Sequence, residues 1–294
     1  MAEPQRIPTV NLGSQGLVVS KLGLGCMGLT GTYNDPLPED QGISIIKHAF
    51  NQGITFFDTA DVYGANANEL LLAKALKQLP REKIQIATKF GVLKLDFANL
   101  HVKGTPDYVR SCCEASLKRL DVDYIDLYYQ HRVDTSVPIE QTYRNLGIGI
   151  VSYSPLGRGF FGGKGVVETL PSVSSLSAHP RYQAENIEKN KRIYKRIESL
   201  AKKYECTTPQ LALAWVLQQG NDVVPIPGTT KIKNLDENIG ALSVKFTEKE
   251  LREISEAIPV DDIAGIQHYN EGHGKLSWKF ANTPPKDSSV YELN

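Results

Sequence analysis

The chain has 294 residues, 41% of them apolar, which is enough to bury the core of one domain spanning residues 1–294. Lys plus Arg and Asp plus Glu each number 33, so overall charge favours neither nucleic acid nor a membrane surface, and a small molecule is the expected partner. The start of the chain has no apolar leader and its four cysteines show no metal-ligand spacing, so we expect a cytoplasmic protein with reduced thiols and no metal.

The predicted elements alternate between strands and helices after an opening β-hairpin. The hairpin strands surround Asn11 and Val18, and Gly13 to Gly16 forms the turn between them. Short β-branched or aromatic runs then predict buried parallel strands, and amphipathic stretches between them predict helices. We expect strands at 21–25, 55–58, 83–89, 124–129, 148–153 and 222–226, and helices at 40–52, 68–79, 106–120, 186–204, 209–219, 232–242 and 248–258.

This alternation predicts an α/β fold, a (β/α)8 barrel of the TIM type that is incomplete. Eight parallel strands close such a barrel, and the prediction gives six after the hairpin. The helix that begins at Pro138 is cut short, and Thr142 to Leu146 leaves no room for the crossover of about ten or more residues that a parallel connection requires. We therefore expect an internal deletion of about two strand/helix units near 142–146.

Four polar residues lie where three consecutive strands end. Asp58 ends one strand with Tyr63 five residues later, Lys89 ends the next, and His131 follows the third. The carboxyl ends of parallel strands meet at the rim of a barrel where catalytic groups lie. An acid, a phenol, a cation and an imidazole can together transfer a proton, and we expect the cation to lower the pKa of Tyr63 from its ordinary value of about 10. Taken singly, each could be an ordinary capping or surface residue.

Gly23 to Gly28 matches the GxGxxG dinucleotide fingerprint and follows a predicted strand. A Rossmann site requires this run to open a helix, whereas residues 30–38 contain two prolines and predict a loop. No acidic residue ends a second strand at the required distance. We prefer a glycine-rich strand end at which a ligand approaches the backbone.

Two segments carry the residue types that hold phosphate groups. Gly228 to Lys231 lies between a strand and a helix, where free backbone N–H groups bind anions with help from hydroxyl and ammonium groups. Ser154 to Gly159, which includes Arg158, ends the neighbouring strand. Together they predict a phosphorylated cofactor lying across the rim. Glu237 and Asn238, about two helical turns later, could equally belong to a solvated helix face.

These motifs together resemble the aldo-keto reductase family, in particular plant members of the group that includes perakine reductase and the auxin-induced-protein-like proteins. The resemblance covers nearly the whole chain. It rests on the runs Lys21–Leu29, Phe57–Gly64, Ala87–Gly91, Asp123–Arg132, Ser154–Gly159, Ile226–Lys231 and Trp278–Pro285.

The resemblance implies an oxidoreductase that reduces an aldehyde or ketone to an alcohol by hydride transfer from NADPH. Tyr63 would be the proton donor, Asp58 and Lys89 would tune it, and His131 would orient the substrate carbonyl. The residues that would bind the cofactor are Ser154, Leu156, Gly157, Arg158, Gly159 and Lys164 in one loop, and Gly228, Thr230, Lys231, Glu237 and Asn238 in the second segment.

The missing units correspond to the fifth and sixth strands of the family, whose side chains would hold the nicotinamide carboxamide. This departure leaves a second hypothesis open, a catalytically impaired barrel that binds NADPH or a protein partner without turnover. A third, a barrel lyase or isomerase acting on a phosphorylated substrate, would explain the phosphate-binding segments but not the four polar residues. The sequence identifies neither the carbonyl substrate nor the oligomeric state.

Overall fold

A computed structural model describes residues 7–31, 33, 35–95, 100–102, 106–132, 149–170, 174–259 and 262–266. The short helix predicted from Pro138, the junction at 142–146 and the Trp278–Pro285 run lie outside these residues.

In the part of the chain that the structure describes, an antiparallel hairpin is followed by six short parallel strands. The strands in chain order are β1 (Thr9–Asn11), β2 (Val18–Ser20), β3 (Leu24–Gly25), β4 (Phe56–Asp58), β5 (Gln85–Phe90), β6 (Val92–Leu95), β7 (Leu100–Val102), β8 (Leu127–Gln130), β9 (Ile150–Ser152) and β10 (Val223–Pro225). Parallel pairing runs in the order β3, β4, β5, β8, and β9 pairs with β10. The amides of Gly23 and Gly25 donate to the Pro225 and Pro227 carbonyl oxygens at 3.0 and 3.3 Å, which joins β10 to β3.

Helices follow the strands, as the sequence predicts. They are α1 (Glu39–Asn51), α2 (Ala67–Leu76), α3 (Pro106–Leu120), α4 (Ala184–Lys203), α5 (Thr208–Leu217), α6 (Ile232–Gly240) and α7 (Glu248–Ala257). Reciprocal capping boxes, Thr207 with Gln210 and Thr247 with Glu250, begin α5 and α7. Between β9 and α4, the described residues include the 3-10 turns Gly157–Gly162, Ser175–Ala178 and Pro180–Tyr182.

The two faces of the parallel strands pack against different partners. Phe56 and Ala87 pack on one face with Leu12 and Val19 of the opening hairpin segment. Phe57 faces the opposite way and belongs to the larger core that α1, α2 and α5 cover. Because side chains alternate along a strand, the residues two positions beyond Phe56 and Ala87 share their face. Those residues are the predicted catalytic aspartate and lysine.

The predicted strands and helices are present wherever the structure describes them, with most ends one to three residues shorter. The α3 helix has the predicted bounds, while the strand predicted at 21–25 is reduced to β3. The antiparallel pair β6 and β7 is absent from the sequence prediction. The pair follows β5 directly after Gly91, whose φ of 109° permits the chain to change direction. A single glycine in the sequence is not enough to predict such a turn.

The glycine-rich strand end admits the chain's own backbone. A Cβ on Gly25 would lie 2.7 Å from the Ile226 carbonyl oxygen, and a Cβ on Gly228 would lie 2.8 Å from the Gly25 oxygen. At Gly25 the close neighbour is therefore the end of β10, while the approach of a ligand to the Gly23–Gly28 run stays a prediction. These glycines let β3 and β10 approach closely enough to pair.

We expect Gly25→Ala to lower the free energy of unfolding by about 2 kcal/mol, a typical overpacking cost, because the contacted Ile226 atom is backbone and cannot rotate away. Gly28→Ala is the matched control, since nothing lies within 4 Å of its Cβ, and it should change stability by less than about 0.5 kcal/mol. Urea unfolding followed by circular dichroism measures both. Equal effects would show that the β3–β10 approach is not tight.

Candidate active site

The four predicted catalytic side chains converge at the carboxyl ends of β4, β5 and β8. The Lys89 ammonium donates hydrogen bonds to Asp58 Oδ1 at 2.6 Å, to the Thr59 carbonyl oxygen at 2.7 Å and to the Tyr63 hydroxyl at 3.3 Å. The rings of Tyr63 and His131 meet edge to face, with centroids 5.5 Å apart. One lysine thus connects the carboxylate with the phenol, and the imidazole lies beside that phenol.

The Lys89–Asp58 pair is buried, with Lys89 4% and Asp58 2% exposed. Burial alone disfavours the ammonium, but Asp58, Tyr63 and Tyr129 outweigh it and raise the pKa of Lys89 well above its ordinary value. Lys89 is therefore a permanent cation at physiological pH. All three of its N–H donors have acceptors, as a buried ammonium requires.

Tyr63 and His131 are both neutral in this environment. Burial of the hydroxyl raises the pKa of Tyr63 and Lys89 lowers it, with a net rise. The prediction that the cation brings this pKa below its ordinary value is therefore wrong, because burial has the larger effect. Burial, Lys89 and Arg132 together hold the pKa of His131 well below 6.5. A protonated phenol and a neutral imidazole can each donate a hydrogen bond to a substrate oxygen.

Sequence reasoning missed Tyr129, whose hydroxyl donates a hydrogen bond to Asp58 Oδ2. Tyr129 lies opposite Lys89 in the β5–β8 pairing, and the Lys89 Nζ is 5.1 Å from the centroid of its ring. The available signal was its position two residues before His131, because residues two apart in an extended chain point to the same side.

A second missed residue is Asp61, in the turn between β4 and Tyr63. Asp61 is 7% exposed, and its Oδ1 has no hydrogen-bond partner in the described part of the chain. Burial, reinforced by the Glu69 carboxylate, raises the pKa of Asp61 to about 6. A buried carboxyl with an unpartnered oxygen costs stability once it ionises.

The predicted cofactor residues lie at the ends of the adjacent strands β9 and β10. Gly228, Thr230 and Lys231 connect β10 to α6, and Lys231 immediately precedes the first residue of that helix. Ser154 and Arg158 have φ angles of 49° and 58°, a left-handed conformation that non-glycine residues adopt rarely and that concentrates at functional sites. Because β9 and β10 pair with each other, the two segments that follow them lie side by side, as the sequence predicts.

The remaining residues of the first loop have different surroundings. Gly157 and Gly159 also have positive φ, 57° and 92°. Leu156 packs against the main core, so a role for it at the cofactor stays a prediction. The Lys164 side chain passes Gly159 so closely that a Cβ there would lie 2.6 Å from Lys164 Cδ.

Two observations fit a phosphorylated nucleotide. Burial lowers the pKa of Lys164; the Glu168 carboxylate raises it and the Lys231 ammonium lowers it, with a net fall. Because the two ammonium groups repel each other, an anion bound between them would be favourable. Asn238 is 2% exposed and its Nδ2 has no hydrogen-bond partner in the described residues. Asn238 is therefore not on a solvated helix face, and its Nδ2 could donate a hydrogen bond to a ligand. Glu237 beside it is half-buried.

The sequence matches the aldo/keto reductase family over residues 21–146 and 141–259. The chain belongs to this family. It is 61% identical to the probable aldo-keto reductase 1 of Glycine max over 341 residues, a match that covers 97% of this chain and 98% of the relative. Because that stretch of 341 residues exceeds the 294 of this chain, at least 47 of its positions have no counterpart here.

Solved structures share the fold. A glycerol dehydrogenase from Gluconobacter oxydans superposes with a TM-score of 0.70 at 24% identity and covers 90% of this chain and 98% of its own. The holo form of an aldo-keto reductase from Bacillus halodurans gives 0.65 at 22% identity, with coverages of 86% and 96%. A thermostable aldo-keto reductase in complex with the inhibitor epalrestat gives 0.62 at 24% identity, with coverages of 85% and 99%. These neighbours are (β/α)8 barrels.

Aldo-keto reductases are oxidoreductases that reduce carbonyl groups with a nicotinamide cofactor, and family membership places this chain among them. In the described residues, no group of three or more His, Cys, Asp or Glu side chains is arranged to hold a metal ion. Over the same residues, no helix has the length and apolarity needed to span a membrane.

The raised pKa of Asp61 predicts a specific pH dependence of stability. The ordinary pKa of the group is 3.8, and its pKa in the folded protein is about 6. At pH values between these two, the folded protein binds more protons at this group than the unfolded chain does. This carboxyl therefore costs stability increasingly as pH rises through that range. Asp61→Asn removes the ionisation, so the stability of the variant relative to wild type should increase between pH 4 and pH 7.5 by about 1–2 kcal/mol, discounted for solvent screening.

Urea unfolding at both pH values measures this change, and comparing each variant with wild type cancels any constant packing difference. Asp123→Asn, at an exposed aspartate, is the matched control and should show no such trend. The same slope in both variants would contradict the assignment to Asp61.

Proposed function

We propose that the protein reduces an aldehyde or ketone to an alcohol with NADPH, and that Tyr63 donates the proton. The observation that carries the proposal is the Lys89 ammonium, which donates to buried Asp58 and to the Tyr63 hydroxyl at the same time. A phenol is a weak acid at neutral pH, and an adjacent fixed cation stabilises the phenolate that remains after it gives up a proton. A third candidate, a lyase or isomerase, explains none of these contacts.

Each member of the set has a separate role. Bound NADPH would supply the hydride. The neutral His131 imidazole holds the substrate carbonyl oxygen, and the Tyr63 hydroxyl gives that oxygen its proton. Lys89 stabilises the resulting phenolate, and Asp58 keeps Lys89 charged and in place. Hydrogen bonds from two neutral donors polarise the carbonyl before the proton moves.

The cofactor would lie against the ends of β9 and β10. The loop from Ser154 to Gly159 would lie against the pyrophosphate, and the Lys164 ammonium would supply the charge that holds it. Thr230 and Lys231 would bind the adenosine 2′-phosphate, and Glu237 and Asn238 the adenine. Cations at Arg158 and Lys231 favour NADPH over NADH because the 2′-phosphate is an additional anion.

We also propose that the barrel lacks its fifth and sixth strand/helix units. The family matches this chain in two segments that meet at 141–146, and the 341-residue match to the Glycine max relative exceeds the length of this chain. β4 and β10 are fully buried, whereas β8 and β9, on either side of that region, are half-buried along nearly their whole length. Missing neighbours would leave those two strands partly uncovered.

The same shortening supports a second candidate function, cofactor or protein binding without turnover. The absent strands would supply the side chains that hold the nicotinamide carboxamide. Precise alignment of reacting groups is worth as much as about 7–11 kcal/mol, so a loosely held ring could forfeit most of the rate. The proton-donating set and the phosphate-binding segments would both remain. A cytoplasmic location and a small carbonyl substrate stay predictions from composition and family.

We expect Tyr63→Phe to reduce carbonyl-dependent NADPH oxidation about 100-fold or more, because it removes the proton donor, while NADPH binding is unchanged. Fluorescence titration with NADPH followed by addition of an aromatic aldehyde in the same cuvette measures both. Tyr124→Phe is the matched control, because Tyr124 is 48% exposed and precedes the amino end of β8, away from the site. The substitution keeps the aromatic ring over which the Arg81 guanidinium lies.

Full activity in Tyr63→Phe would refute the assigned role of the phenol. Saturable NADPH binding by wild type with no oxidation of any aldehyde would instead favour the binding protein with a lost carboxamide clamp. Failure of folded protein to bind NADPH would refute the reductase and the cofactor-binding protein, and would leave only binding of a protein partner.

We expect Lys231→Ala to weaken NADPH binding about ten-fold and NADH binding less than two-fold, because one charge-assisted contact to the 2′-phosphate is lost. Lys233→Ala, an exposed lysine two residues further along, is the matched control and should leave both affinities unchanged. Equal weakening of the two nucleotides by Lys231→Ala would mean that Lys231 does not contact the 2′-phosphate.

A further inference from the structure

The Asp58 carboxylate is shared between two donors. Oδ1 accepts from the Lys89 ammonium at 2.6 Å, and Oδ2 accepts from the Tyr129 hydroxyl. Asp58 is almost completely buried, so water cannot readily replace either donor. The second donor therefore fixes the carboxylate and draws off part of its charge.

Sheet pairing positions Tyr129 for this contact. Lys89 and Tyr129 are opposite each other in the parallel β5–β8 pair, and both side chains point to the face that carries Asp58. The Tyr129 ring also lies 5.1 Å from Lys89 Nζ, within the range of cation–π attraction. Burial and the Asp58 carboxylate raise the pKa of Tyr129 well above 10, so it remains a donor throughout the working pH range.

We propose that Tyr129 is a positioning residue for the reaction: its hydroxyl shares the Asp58 carboxylate with Lys89 and so governs how readily Tyr63 releases its proton. The proposal rests on the proposed reductase function. A carboxylate that already accepts from Tyr129 neutralises Lys89 less completely, which leaves more of the ammonium's field to stabilise the Tyr63 phenolate.

Other charged or titratable groups around Tyr63 and Lys89 also contribute to this field. Their contributions should be the same in every variant below, because none of them is changed. They are Cys26 at the end of β3, Tyr33 in the following loop, Asp61 in the turn after β4, and His131 and Arg132 after β8.

Tyr129→Phe removes the hydroxyl and keeps the ring. With purified full-length protein we expect kcat for aldehyde reduction to fall about 3- to 10-fold with KM nearly unchanged, since a weaker acid donates its proton more slowly. The alkaline limb of the pH–rate profile should move up by about half a pH unit. Tyr128→Phe is the matched control on the opposite face of β8. It should leave kcat and the profile unchanged, because the Tyr128 hydroxyl donates to the Val109 carbonyl oxygen, at 3.4 Å, and not to Asp58.

A purely structural role for Tyr129 would lower kcat without moving the alkaline limb, and this result would overturn the proposal. A double-mutant cycle adds a second criterion. If Tyr129 acts through Asp58, then Tyr129→Phe should have little further effect in an Asp58→Asn background. Additive losses would overturn the proposal.

A measurement independent of turnover separates this proposal from the proposed function. In protein labelled with 13C at the tyrosine ζ carbon, the Tyr63 signal is the one lost in Tyr63→Phe, and it should titrate at higher pH in Tyr129→Phe than in wild type. Turnover in wild type without this shift would overturn the role of Tyr129. The shift without turnover would refute the reductase and leave the coupling between Tyr129 and Tyr63 established.

If Tyr129→Phe fails to fold, Asp58→Asn tests the contact from its other end. Loss of the carboxylate should lower the pKa of Tyr129 toward 10 in the same NMR titration. An unchanged Tyr129 titration would overturn the proposal.

Discussion

The buried ion pair between Lys89 and Asp58 is the interaction on which the candidate active site depends. Removing two charges from water costs several kcal/mol for each ion, and that cost is offset only if the remaining donors and acceptors are satisfied. Here the ammonium also reaches the Thr59 carbonyl and the Tyr63 hydroxyl, and the carboxylate also accepts from Tyr129. One of the partners that make burial of the pair tolerable is therefore the Tyr63 hydroxyl, the proposed proton donor.

The parallel sheet assembles this pair from distant parts of the chain. Asp58, Lys89 and Tyr129 belong to three consecutive paired strands, so strand register rather than local sequence brings them together. The register itself depends on the core, because Phe56 and Ala87 pack against the opening hairpin segment on the same face. At the other edge of β4, the glycines of β3 admit the end of β10, which precedes the candidate phosphate-binding segment. The candidate catalytic set and the candidate cofactor segments therefore follow strands that are linked by hydrogen bonds in the order β8, β5, β4, β3, β10, β9.

The half-buried strands β8 and β9 carry the facing edges of the candidate catalytic set and the candidate cofactor segments. On the proposed reading, the shortened region of the family barrel falls between these two strands, and it would have held the nicotinamide ring. The adenosine end of the cofactor and the proposed acid, Tyr63, would then be on either side of the missing region. On that reading, turnover would depend on how firmly the ring is held, not on the presence of the proton donor. Strands that have lost a neighbour also expose backbone groups that can pair with another chain.

The sequence by itself determined the order of strands and helices, the convergence of four polar residues and the position of two candidate phosphate-binding segments after neighbouring strands, because periodicity, strand-end position and residue type are local properties. Tertiary structure decided the rest. The role of Tyr129, the burial of Asn238 and the raised pKa of Asp61 depend on which distant groups surround each side chain. The direction of the Tyr63 pKa shift was wrong in the sequence analysis for the same reason, since it depends on whether burial or the Lys89 charge is stronger. Residue types show which interactions are possible, and only packing sets their relative strengths.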